Sequence, residues 1–140
     1  MTQTANAAAK PVPEPDDLSR PFFDGARQQQ LLLQRCRACG QFVALGSRVC
    51  SECLAEELDW TPVSGRGTLF SFGVMHQLYH PGFASEIPYN IAVVELDEGP
   101  RLNSNVVGAG NEQLRVGMRL DVTFEQQSAD VWLPKFRPAS

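Results

Sequence analysis

Downstream of residue 60, apolar positions recur in short, partly alternating runs without a helical period, and that pattern predicts β-structure. Thr68 to His76 mixes aromatic and branched residues behind the breaker Ser64-Gly65-Arg66-Gly67 and reads as a strand. Tyr89 to Leu96 is a second strand. Asp97-Glu98-Gly99-Pro100 has turn chemistry and returns the chain as Arg101 to Val107, so the two form a hairpin. Leu114 to Met118 reads as a strand-to-strand corner. In Arg119 to Glu125, Leu120, Val122 and Phe124 share one face, and Val131 to Phe136 is the last strand. Five such strands predict a small closed or nearly closed five-stranded barrel of the OB type over residues 61–138.

Upstream the pattern changes. Residues 1–19 are rich in Ala, Thr, Asn and Pro without an apolar period, which predicts a disordered tail. Residues 20–30 suit a short leading helix, with Pro21 in its first turn and Phe22 and Phe23 as apolar contacts. Leu31 to Arg35 is too short for a helix and runs as a strand into the cysteines. Phe42 to Leu45 is expected as the second short strand, and Leu58 to Val63 as the exit toward the barrel.

Residues 31–60 contain all four cysteines, as Cys36-Arg37-Ala38-Cys39-Gly40 and Cys50-Ser51-Glu52-Cys53. Two such knuckles read as a rubredoxin-like zinc ribbon, with one structural Zn²⁺ held by Cys36, Cys39, Cys50 and Cys53. Each pair must sit on a tight turn so that two sulfurs address one metal, and Gly40 stands where that turn needs a relaxed backbone. A redox dithiol or disulfide pair is the competing reading; a redox motif would more naturally be one CxxC between a strand and a helix, a setting these knuckles lack. A segment this small needs metal for its fold, with apparent strengths of about 10–16 kcal/mol in zinc peptides.

Composition narrows the function classes. A chain of 140 residues carries one ordinary domain or a small module joined to a larger one. Thiolate-metal chemistry suits a reducing cytoplasm, the N-terminus lacks the apolar core of a signal peptide, and no run approaches the length of a membrane span. The net charge of −4 argues against affinity drawn mainly from phosphate neutralisation.

No nucleophile stands beside a base in any recognisable motif, which points to a chain without catalytic residues of its own. His76, Tyr79 and His80 fall at the end of the first long barrel strand, where a polar rim is the plain reading and a substrate or partner contact the sharper one. Arg35, Arg37 and Arg48 surround the knuckles; Arg66, Arg101, Lys135 and Arg137 lie on barrel turns or ends, where single charges are usually solvated. Gly108-Ala109-Gly110 lacks the third glycine of a dinucleotide loop and reads as a barrel loop. Phe70, Phe72, Phe124 and Trp132 would stack bases on a single-strand-binding OB face, but at strand spacing they read as barrel core.

A larger set of motifs runs from Pro21 to Pro138. It comprises Pro21-Phe22-Phe23-Asp24-Gly25, Gln34-Arg35 leading into the first knuckle, Val63-Ser64-Gly65-Arg66-Gly67-Thr68 and Pro88-Tyr89. It continues through Val93 to Leu102 and Val116-Gly117-Met118 to the ending Leu133-Pro134-Lys135-Phe136-Arg137-Pro138. In these the chain resembles the zinc-ribbon/OB-fold family formerly labelled a domain of unknown function. The resemblance implies a small accessory subunit that pairs with thiolase-like or hydratase-like enzymes acting on acyl-coenzyme A esters. Such a subunit helps bind acyl-CoA and completes the partner's site in lipid or steroid side-chain thioester metabolism or acyl transfer. It makes Arg35, Arg37, Arg66, His76, Tyr79 and His80 candidate CoA or partner contacts. The rival from another class is a single-stranded nucleic-acid-binding module.

Overall fold

The computed structural model describes residues 9–139. Of the expected tail, residues 1–8 lie outside that range. Residues 9–19 have no regular helix or strand and are fixed to the body by contacts: Lys10 Nζ stands 2.7 Å from a Glu86 carboxylate oxygen, and Asp16 and Ser19 bond one another ahead of the first helix. Helix α1 spans Arg20–Arg27, with Pro21 in its first turn and Phe22, Gly25 and Ala26 buried. Beyond α1 the chain doubles back through Gln29, at φ 65°. A Cβ on Gly25 would stand 2.8 Å from Leu32 Cγ and 2.9 Å from the Gln30 carbonyl, so the reversal needs glycine there.

Strand β1, Leu32–Cys36, pairs antiparallel with β2, Leu58–Pro62, in a register running from Leu32↔Pro62 to Cys36↔Leu58. This corrects the expected ribbon sheet. Phe42 to Leu45 is not a strand; Phe42 makes one isolated bridge to Arg35. The chain between the knuckles is spent on turning: Ser47 N–H donates to the Ala44 carbonyl at 3.1 Å and Gly46 sits at φ 91°. The segment read as an exit from the ribbon is its second strand.

The remaining strands are β3, Arg66–Met75; β4, Tyr89–Leu96; β5, Arg101–Ser104; β6, Arg119–Gln126; and β7, Trp132–Pro138. They form one antiparallel sheet in the order β5-β4-β3-β6-β7, curled into an OB-type half-barrel. β3 and β4 pair over almost their whole length, whereas β3 meets β6 through three residue pairs, Arg66↔Asp121 to Thr68↔Arg119. On the opposite side the chain after β5 meets β7 through one parallel bridge, Val106↔Phe136.

A bulge in β3 overturns one expectation. The register against β4 jumps between Leu69 and Ser71, so Phe70 is the extra residue. Leu69 points inward and is fully buried, while Phe70 and Ser71 both face out. Phe70, expected in the core, is 43% exposed and lies under the Arg101 guanidinium, 3.7 Å from the ring centre. Phe72 and Phe124 are partly buried against the core, and Trp132 is half-buried.

One apolar core joins all parts. Phe22 from α1 and Leu31 and Leu33 around β1 pack with Leu69, Val94, Leu96, Leu120 and Phe136 of the barrel. Each such side chain contributes about 1.5–3 kcal/mol when fully buried, so the ribbon strand is anchored by the barrel. The ribbon's own cluster is Cys36, Val43 and Cys50, with Ala55 and Leu58 alongside.

Candidate functional site

The two knuckles repeat one local shape. Cys36 N–H donates to the Gln41 carbonyl and Gly40 N–H to the Cys36 carbonyl; Cys50 N–H donates to the Ala55 carbonyl and Leu54 N–H to the Cys50 carbonyl, all at 2.8–2.9 Å. The fourth residue after each first cysteine has positive φ: Gly40 at 82° and Leu54 at 65°. Gly40 was legible as that turn residue. Leu54 was not, because a leucine in the left-handed region, 73% exposed, carries no sequence signal for a turn.

These turns aim four sulfurs at one point. The Cys36–Cys53 and Cys39–Cys50 Sγ pairs are each 3.6 Å apart, and all four atoms lie within 4.8 Å of one another. Tetrahedral zinc with sulfur at about 2.3 Å sets its ligands about 3.8 Å apart, and a disulfide needs about 2.05 Å. The spacing therefore fits a metal and not a bridge. Amide N–H groups of Cys39 and Glu52 face the Cys36 and Cys50 sulfurs at 3.4 Å, the usual support for thiolates. The Cys39 amide leads in drawing the Cys36 thiol down to about 7. Against an amide bond with Gln41 that favours its thiolate, burial and the neighbouring sulfurs push Cys39 up to about 12. Four clustered thiols resist ionising together, which is the demand a dication answers. A zinc ion held by these four sulfurs would cross-link the knuckles and would have no open position for a reacting group.

The candidate contact residues are dispersed. Arg37 is committed to Asp59 of β2 through a two-pronged pair at 2.7 and 3.1 Å, and the Arg37 hydrogen bond holds the Asp59 carboxyl below its ordinary range. Arg35 Nε donates to the Gly40 carbonyl at 2.8 Å, with its guanidinium over the Phe42 ring at 5.3 Å. Both thereby brace the first knuckle. Arg66 is exposed on β3. His76 is exposed beyond the end of β3, and Tyr79, 72% exposed, donates to Gln77 at 3.3 Å. His80 caps the short 3₁₀ turn Pro81–Phe83, its Nδ1 accepting from Gly82 N–H at 2.9 Å, and meets Phe83 edge-on. Arg101 is taken up by Glu95 and Phe70, and Arg119, not singled out from sequence, clamps Asp97 and Thr68.

The family model described as "ChsH2, rubredoxin-like zinc ribbon domain" matches residues 23–59, and "ChsH2, C-terminal OB-fold domain" matches 60–125. The chain belongs to the ChsH2 zinc-ribbon and OB-fold family. It is 33% identical over 139 residues to a probable enoyl-CoA hydratase alpha subunit of Thermomonospora curvata, covering 99% of this chain and 43% of that protein. It is 31% identical over 106 residues to the benzoylsuccinyl-CoA thiolase subunit BbsA of Thauera aromatica, covering 71% of each. A solved chain from the Ltp2-ChsH2(DUF35) aldolase superposes with a TM-score of 0.82 at 33% identity, over 92% of this chain and all of that one. The chain thus spans less than half the length of the hydratase subunit it matches. No described helix is long and apolar enough to cross a membrane.

Proposed function

We propose that this chain is a non-catalytic accessory subunit that docks on a thiolase-like or hydratase-like enzyme, helps hold acyl-CoA and completes the partner's site. The observation that carries the reading is the ChsH2 ribbon and barrel in one chain, joined by a shared core, with a thiolate cluster suited to a closed structural metal site. Its relatives and its structural neighbour are named as subunits or components of hydratase, thiolase and aldolase assemblies, which supports a partner of that class. Cys36, Cys39, Cys50 and Cys53 are the zinc ligands in this reading, and the expected compartment is the cytoplasm, where such thiols stay reduced. The reading divides the chain into a leading helix over 20–30, a ribbon over 31–60 and a barrel over 61–138, and the family matches, which meet between residues 59 and 60, support its boundary between ribbon and barrel. A subunit that covers a thioester site acts by positioning substrate and excluding water, so its effect on rate belongs to the complex.

Capture from the native host with identification of the bound protein tests the reading. A stable complex with an acyl-CoA enzyme, burying about 1,200–2,000 Å² or more, is expected. Submicromolar binding of single-stranded oligonucleotide at physiological salt, with no enzyme partner recovered, would reverse it in favour of the nucleic-acid module.

A further inference from the structure

A cleft of about 510 Å³ opens over the line where β7 meets the chain after β5. That size lies in the range of small-molecule sites, roughly 300–1,000 Å³. One wall is the N-terminal segment, whose Lys10, Pro11 and Pro13 face the space. The segment is seated with care: Lys10 pairs with Glu86 and lies over the Phe83 ring, and a Cβ on Gly82 would stand 2.6 Å from the backbone of Ala9 and Lys10. Another wall is aromatic, with Phe83 and Tyr89 ring centres 5.4 Å apart. Asn90 fixes the far side, its amide donating to the Val106 carbonyl at 2.9 Å and accepting from Val106 N–H at 2.7 Å.

Lys135 is the group this architecture leaves without a purpose. Its half-buried ammonium donates to the Asn105 side-chain carbonyl, a neutral partner. Burial, seconded by like-charged Lys10, lowers its pKa against the pull of Glu125 and Glu86. No carboxylate among the described residues lies within ion-pair distance of it. A lysine has three donors, so two remain for an oxygen entering the cleft. The charges of the lining, Lys10 and Lys135 against Glu86 and Glu125, sum to zero, which disfavours a phosphate cluster. The lining sets the side-chain amides of Asn105, Asn111 and Gln127 among the apolar Val106, Val107 and Leu133, which suits an uncharged chain that carries amide groups.

We propose that this cleft binds the pantetheine arm of an acyl thioester, an extended and uncharged chain of amides, with Lys135 donating to one of its carbonyl oxygens. The assignment rests on the acyl-CoA reading above and adds to it the site, the part of the ligand held and the residue that holds it. The nucleotide end stays outside the cleft.

Calorimetric titration of the full zinc-loaded chain with pantetheine and with coenzyme A tests this. Both are expected to bind with similar affinity. Lys135→Met weakens both about tenfold or more, and Lys135→Arg recovers part of the loss. Gly82→Ala, which unseats the N-terminal wall, weakens both as well. Saturation transfer in the unmutated chain is expected between pantetheine and the Phe83 and Tyr89 rings, a readout that needs no variant to fold. Binding of coenzyme A without pantetheine, binding of neither, or transfer that bypasses both rings overturns the proposal. Enzyme capture is scored separately with the unmutated chain, which is expected to bring down its partner. No enzyme captured while pantetheine still binds therefore sinks the subunit reading alone.

Discussion

Gly65 offers a sharp test of how ribbon and barrel are joined. It sits in the link between β2 and β3 at φ 78°, its carbonyl accepts Val122 N–H at 2.8 Å, and a Cβ built on it would stand 2.3 Å from Val122 Cγ1. Gly65→Ala meets two penalties: about 1–2 kcal/mol for a side chain in the left-handed region and about 1–3 kcal/mol for overpacking against β6. Alanine's smaller unfolded-state entropy returns about 0.4–1 kcal/mol. The net loss is about 3 kcal/mol, roughly 10 °C in Tm for a chain of this size. Urea unfolding of the zinc-loaded protein measures it, with Val122→Ala and the double variant completing a cycle. In the double variant the clash is gone while the strained φ remains, so a favourable coupling of about 1–2 kcal/mol is expected. A Gly65→Ala protein within about 0.5 kcal/mol of the parent, or strictly additive substitutions, would refute the reasoning.

Three further outcomes follow from the same geometry. Cys36→Ser should release the metal and loosen the ribbon while leaving the barrel strands protected, as read by elemental analysis and hydrogen exchange; retention of a full equivalent of zinc argues against the four-sulfur site. Leu54→Gly should raise ribbon stability slightly, by up to about 1 kcal/mol, measured as slower zinc loss to a chelator, and faster loss would show that the positive φ is not strained. The Arg119 hydrogen bond holds the Asp97 carboxyl below its ordinary 3.8, so its contribution is present above that value and is lost as pH falls through the lowered one. Asp97→Asn should flatten this part of the acid limb of the stability curve, and an unchanged limb would discount the pair.

Legibility followed the range of the interactions. Tyr89 to Leu96 reads correctly to the residue because its aromatic and branched residues run up to the turn Asp97-Glu98-Gly99-Pro100; which face turns inward, that of Asn90, Ala92, Val94 and Leu96, is set by the fold. The cysteine knuckles read correctly because their chemistry is local. Phe42 to Leu45 read as a strand on composition, yet β1's partner is supplied by Leu58–Pro62, and nothing local announces a pairing across that span. Phe70 read as core because alternation was carried through a bulge that only the opposite strand reveals. The Lys135 cleft was invisible since its lining comes from residues 10 to 135. Arg37 and Arg35 looked available because their partners, Asp59 and the Gly40 carbonyl, meet them only through the fold.

The barrel is built like a hinged shell. β3, β4 and β5 form one valve and β6 and β7 the other; β3 with β4 and β6 with β7 are zipped by long ladders, and β4 with β5 by four pairs. The valves touch along two short seams, three residue pairs on one side and a single bridge on the other. Opening the single-bridge seam breaks the Val107-to-Phe136 and Phe136-to-Asn105 backbone bonds, fewer than parting any of the paired strands, so slow breathing of the molecule is expected to run along it. The cleft spans the weaker seam, with Val106 from one valve and Lys135 from the other. Whatever fills it acts as a staple, and its presence should register as slowed amide exchange at Val107 and Phe136, whose N–H groups bond across that line.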